Sequence, residues 1–123
     1  MPLYTIATQS GTLDARAKAD LAAAVTSLHA DLSGVPKGWV HVVFQDYPPG
    51  DGFAAGVAAP TVHLTAVIRE GRTAAYVRGL LAGLWALLQR ATGAPDDLLV
   101  VGIQEVPAGR AMEMGRAMPE VAR

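Results

Sequence analysis

Position 2 of this chain is proline, directly after Met1. A proline at a free N-terminus is a secondary amine. An α-amino group titrates at about 7.7–8.0, so a modest shift selects between general base and general acid at neutral pH. The amine is carried on the main chain rather than on a flexible side chain. Its chemistry requires removal of Met1, because an acylated proline nitrogen has no proton to give or take. Met-Pro starts are common, so Pro2 acquires meaning only from its surroundings. Arg69 and Arg72 lie in a short turn ahead of a helical pattern. Two planar guanidinium forks beside a helix N-terminus make a carboxylate clamp; a solvated surface turn is the plainer reading. His29 sits at the edge of an apolar helical stripe, four residues after Val25, where a partly buried surface histidine is ordinary. Glu113 taken alone is an ordinary glutamate.

The elements that must position these residues follow from an internal repeat. A shift of 59 residues aligns 2–50 with 61–109 without a gap. Gly34 and Pro36 meet Gly93 and Pro95. Gln45, Asp46, Pro48 and Gly50 meet Gln104, Glu105, Pro107 and Gly109. Asp14 meets Thr73, both helix N-cap types. Leu3 to Thr8 and Thr61 to Ile68 are rich in β-branched residues and predict strands. Ala17, Leu21, Ala24, Val25, Leu28 and Leu32 carry helical spacing over 14–32. Val77, Leu80, Leu81, Leu84, Leu87 and Leu88 do the same over 73–91. Glycine followed by proline stops both helices. Trp39 to Gln45 and Leu98 to Gln104 predict second strands.

The expected fold is therefore α+β. Two consecutive β-α-β units form a four-stranded sheet with two helices on one face, each unit a parallel pair with a right-handed crossover. The other face would carry bare Val, Ile and Phe side chains, so a homo-oligomer that covers it is expected. Residues 51–60 join the halves as a loop or short hairpin. Residues 110–123 fall outside the repeat as a C-terminal tail that reaches a neighbouring subunit.

Composition narrows the function. At 123 residues the chain is expected to form one domain, 1–123. Hydrophobic residues make up 51% and charged residues 17%, which excludes disorder. A net charge of −1 argues against general nucleic-acid binding. Without cysteine there is no disulfide, thiolate metal site or cysteine nucleophile. His29, His41 and His63 lack zinc-ligand spacing, so no metal and no cofactor are expected, and His41 and His63 read as sheet residues. No apolar run is long enough to span a membrane, and the N-terminus lacks a signal-peptide pattern. A cytoplasmic protein is expected.

The doubled β-α-β unit with Pro2 resembles the tautomerase superfamily, and within it the cis-3-chloroacrylic acid dehalogenase group. The resemblance runs over about residues 2–119. It is carried by Pro2, Leu28-His29-Ala30-Asp31-Leu32, Phe44-Gln45-Asp46-Tyr47-Pro48-Pro49-Gly50, Arg69-Glu70-Gly71-Arg72, Glu105-Val106-Pro107-Ala108 and Met112-Glu113-Met114-Gly115-Arg116. The resemblance implies a homotrimer with the strands turned inward and a small carboxylic acid as substrate. It implies Pro2 and Glu113 as catalytic residues, Glu113 activating a water, and His29, Arg69 and Arg72 as carboxylate-binding residues. One position departs: Gly102 stands where the group has a tyrosine that assists the water.

Three readings follow. Protonated Pro2 and Glu113 add water to a 3-substituted acrylate, with dehalogenation following from an unstable halohydrin. Alternatively, neutral Pro2 moves a proton in a keto–enol tautomerisation of the phenylpyruvate or 2-hydroxymuconate type. The third reading is a non-enzymatic trimeric interaction protein, resembling macrophage migration inhibitory factor in shape.

Overall fold

The computed structural model describes residues 2–121. Its strands and helices run β1 (Leu3–Gln9), α1 (Ala15–Ser33), β2 (His41–Tyr47), β3 (Phe53–Ala54), β4 (Val57–Ala58), β5 (Val62–Arg69), α2 (Ala74–Thr92), β6 (Leu99–Val106), β7 (Met112–Glu113) and β8 (Arg116–Ala117). The helices start where the sequence places their caps. The Asp14 carboxylate accepts from the Ala17 N–H at 2.8 Å, and the Thr73 hydroxyl accepts from the Tyr76 N–H at 3.1 Å. Each side chain satisfies one of the first-turn amides that no helical carbonyl can reach. The helices end at Gly34 and Gly93, whose φ values of 73° and 70° belong to the left-handed region that glycine enters freely.

β1 pairs in parallel with β2, β5 in parallel with β6, and β1 antiparallel with β5, giving the order β2-β1-β5-β6. This is the expected four-stranded sheet of two β-α-β units, and the antiparallel β1–β5 pair at its centre makes it mixed. The central register carries the repeat: Tyr4 pairs with Ala66, and the same pair shifted by 59 residues is Ala7 with His63. The halves are thus related by a local two-fold axis between β1 and β5. Both helices cover one sheet face. Tyr4, Ile6, Val62, Leu64, Ala66, Ile68 and Leu99 meet Leu21, Val25, Leu80, Leu84 and Leu88 in the core. Full burial of each leucine contributes about 1.5–3 kcal/mol. On the opposite face Leu3, Val43 and Val100 are 39%, 47% and 58% exposed, as the alternation of the strands requires.

Three features differ from the sequence reading. Trp39 and Leu98 do not begin strands; each closes a 3-10 turn, Lys37–Trp39 and Asp96–Leu98, and the strands start at His41 and Leu99. Leu32, placed in the apolar stripe of α1, is exposed in the last turn, while His29 takes a core position. The repeat also continues beyond residues 50 and 109. The β3–β4 and β7–β8 hairpins occupy the same place in the two halves, 59 residues apart. Each has a left-handed two-residue tip, Ala55-Gly56 and Met114-Gly115. The same bond closes each hairpin, from Ala59 N–H to the Gly52 carbonyl (3.0 Å) and from Met118 N–H to the Ala111 carbonyl (2.8 Å). Residues 110–119, expected outside the repeat, are its final part. The last residues of the expected tail, 122–123, lie outside the described residues.

Candidate active site

Pro2 is buried at the start of β1, where its carbonyl accepts from the His41 N–H at 3.1 Å. Met1, whose removal the chemistry requires, lies outside the described residues. Pro2 and Tyr4 share a strand parity, so both belong to the helix-covered face. One register step beyond the Leu3–Val67 pair brings Pro2 level with Ile68, next to Arg69.

His29 extends the buried stripe Leu21–Val25–His29 of α1, at i, i+4 and i+8. It is 3% exposed, deeper than a histidine at a stripe edge would be. The Tyr4 hydroxyl lies 2.6 Å from its Nδ1, and the rings stand edge to face with centroids 5.6 Å apart. Burial and then the nearby Arg72 guanidinium push the His29 pKa down to about 4, so the ring is neutral at pH 7. Burial raises the Tyr4 phenol pKa, which keeps its proton on.

Arg69 ends β5, and Arg72 precedes the Thr73 cap of α2. Arg69 Nη1 donates to the Pro119 carbonyl at 2.9 Å. The Arg72 guanidinium stacks over the Tyr76 ring, 5.1 Å from its centroid. Among the described residues neither guanidinium is ion-paired with a carboxylate. Burial and then the Arg72 charge lower the Arg69 pKa. An anion between them would relieve that repulsion.

Glu113 stands on β7, half-buried, with its Oε2 enclosed. It lines a cavity of about 480 Å³ together with Trp39, Met114, Arg116, Ala117, Met118 and Pro119. Trp39 leads into β2 beside Pro2, and the Pro119 carbonyl is the one that Arg69 holds. The five residues singled out in the sequence therefore gather at one end of the molecule. Pro2 lies at the end of the inner strand β1, His29 in α1 and Arg72 just ahead of the α2 cap, while Glu113 lines the cavity wall whose Pro119 carbonyl Arg69 holds. His41 and His63 are exposed sheet residues on the other face.

Tyr4, Tyr76 and Trp39 complete this end. By residue type alone, Tyr4 and Tyr76 are most simply packing residues. The available signal was that a buried phenol needs a partner for its hydroxyl, and that Tyr4 follows Pro2 on the same face. Gly102 lies on the uncovered face opposite Thr65, and a Cβ added there would meet nothing within 4 Å. Among the described residues no group of three or more His, Asp or Glu could hold a metal ion, and no helix is long and apolar enough to cross a membrane.

This geometry stands alongside the comparisons with known proteins. A family model described as "Putative oxalocrotonate tautomerase enzyme" matches residues 1–121. The chain belongs to the tautomerase superfamily. Among solved structures, N1, a member of the cis-3-chloroacrylic acid dehalogenase family, is 31% identical, with a TM-score of 0.90 over 97% of this chain and 85% of its own. Native Ps01740 is 36% identical, with a TM-score of 0.88 over 90% of this chain and 99% of its own. Pt0534, solved after inactivation by 2-oxo-3-pentynoate, is 25% identical, with a TM-score of 0.86 over 94% of each chain. No curated protein matches the chain in sequence. Membership of the tautomerase superfamily agrees with the doubled β-α-β unit and with the family resemblance read from the sequence.

Proposed function

We propose that this chain is a Pro2-dependent proton-transfer enzyme acting on small unsaturated or 2-oxo carboxylic acids, and that it adds water to a 3-substituted acrylate. The observation that carries the reading is the pair Arg69 and Arg72. Arg69 ends β5 and donates to the Pro119 carbonyl, and Arg72 stacks on Tyr76 one residue before the Thr73 cap of α2, so both guanidinium groups stand at the N-terminus of that helix. They share an end of the molecule with buried Pro2 and with a cavity walled by Glu113. In the reaction, Arg69, Arg72 and neutral His29 hold the substrate carboxylate. Protonated Pro2 gives its proton to the carbon next to that carboxylate. Glu113 takes a proton from water as the oxygen bonds to the β-carbon. With chlorine on that carbon, the product halohydrin loses chloride and a proton to leave an aldehyde. The 31% identical cis-3-chloroacrylic acid dehalogenase family member supports this choice.

A specific observation favours a second reaction at the same site. Gly102 supplies no hydroxyl to help Glu113 orient water, and the space beside it is open. Keto–enol tautomerisation needs no water, only a neutral Pro2 to move a proton within a clamped 2-oxo acid. The inactivation of Pt0534 by a 2-oxo acid is consistent with such chemistry. The uncovered apolar face supports assembly as a homotrimer with these faces inward.

The test is steady-state turnover of cis-3-chloroacrylate, phenylenolpyruvate and 2-hydroxymuconate by protein whose intact mass shows that Met1 is gone. Pro2→Ala is expected to lose on the order of 10²-fold in kcat. Arg72→Ala is expected to raise KM about tenfold or more, the size of a lost charge-assisted contact. A nitrogen-15 titration of Pro2 separates the two reactions: an amine pKa above neutrality supports water addition, and one below it supports tautomerisation. Full turnover by Pro2→Ala on every acid that the wild type converts would overturn both and leave the interaction protein.

A further inference from the structure

The contact between Tyr4 and His29 fixes more than a ring position. A hydrogen bond at 2.6 Å needs one proton between oxygen and nitrogen. The phenol keeps its proton at neutral pH because burial opposes its ionisation. Among the described residues His29 is the hydrogen-bond partner recorded for that buried hydroxyl, so an O–H turned elsewhere would be left unsatisfied at a cost. The hydroxyl therefore donates, and Nδ1 accepts. Among the groups that act on the imidazole are the Tyr4 hydroxyl and the Arg72 guanidinium; burial and then Arg72 oppose a second ring proton. A neutral ring with Nδ1 accepting carries its proton on Nε2.

We propose that Tyr4 is a positioning residue that locks His29 in the Nε2–H tautomer, so that a neutral imidazole presents a hydrogen-bond donor to the substrate carboxylate. The alternative tautomer would present the Nε2 lone pair, which repels a carboxylate. The hydroxyl of Tyr4 thus decides the sign of the His29 contact. The scaffold supports the lock from both sides. Tyr4 is on β1, two residues after Pro2 and wholly buried, while the His29 carbonyl accepts from the Ser33 hydroxyl at 2.7 Å. The substrate part of this inference rests on the carboxylate-binding reading of His29; the tautomer part does not.

Nitrogen-15 NMR of histidine-labelled protein at neutral pH tests it, with Tyr4→Phe as the isosteric comparison. In the wild type, His29 is expected to show a protonated Nε2 and an unprotonated, hydrogen-bonded Nδ1. In Tyr4→Phe, Nδ1 loses that signature and the two tautomers mix. KM for the acid then rises about fivefold, while kcat changes less. A wild-type His29 protonated on Nδ1 would overturn the lock, and so would a Tyr4→Phe spectrum that matches the wild type. If Tyr4→Phe does not fold, the wild-type spectrum alone decides the tautomer. His29→Ala with an unchanged KM would remove the carboxylate contact, and with it the reading of the site; the spectrum still reports the tautomer independently.

Discussion

The burial of His29 has a consequence for stability. An exposed histidine in the unfolded chain titrates at about 6.5, whereas burial and Arg72 hold the folded-state value at about 4. The folded pKa is depressed, so between these values the unfolded chain binds the extra proton. The contribution is fully present above pH about 6.5 and is lost as the pH falls towards 4. Denaturant titrations should show roughly 2–3 kcal/mol lost over that window, and His29→Gln should flatten the loss. An equal slope in both proteins would mean that His29 is not the group responsible. At this scale the sequence exposed the types of the candidate site residues but not their contacts. Pro2, Arg69, Arg72 and Glu113 are visible as letters. The bond between Tyr4 and His29 joins residues 25 apart, and only the docking of α1 on β1 creates it.

The elements were legible where capping and periodicity agree. Asp14 and Thr73, with Gly34 and Gly93, bracket both helices to within a residue of the sequence reading. The last part of the repeat was hidden for a physical reason. Phe53-Ala54-Ala55-Gly56-Val57-Ala58 and Met112-Glu113-Met114-Gly115-Arg116-Ala117 share a backbone path but few side chains. A two-residue hairpin turn of type I′ demands φ above zero at both tip positions, a requirement that asparagine and glycine signal and that alanine and methionine do not. Ala55 at φ 52° and Met114 at φ 54° meet it under strain. Ala55→Asn should therefore stabilise the fold by about 0.5–1 kcal/mol, read as a rise in thermal midpoint. A fall would show that the neighbours of Ala55 matter more than its backbone. The hairpins diverge at one candidate site residue, since β7 carries Glu113 where β3 carries Ala54.

Across the whole molecule the local two-fold relates two ends that are no longer alike. Thr61 stands where the other half has Pro2, Leu88 where it has His29, Ser10 and Leu13 where it has Arg69 and Arg72. The second end has lost the amine, the imidazole and both cations, so each chain holds one candidate site. The uncovered sheet face is the other molecular feature. Val43 and Val100 are 47% and 58% exposed there, on the two edge strands, and a charge buried in a dry interface is costly. Val100→Asp should shift the assembly from trimer towards monomer in sedimentation, whereas Lys37→Ala, away from that face, should not. A Val100→Asp protein that sediments as the wild type does would show that the face is not the interface.

The account depends most on a free Pro2 amine beside the arginines. The direct measurement is peptide mass mapping after treatment with 2-oxo-3-pentynoate, whose acetylenic carbon accepts an amine nucleophile. At a pH high enough to leave the amine neutral under either reaction, one adduct per chain is expected, on Pro2 and not on the peptide that contains Thr61, with turnover lost in proportion to labelling. A Pro2 that stays unmodified behind a retained Met1, or a fully labelled Pro2 with turnover intact, would contradict it.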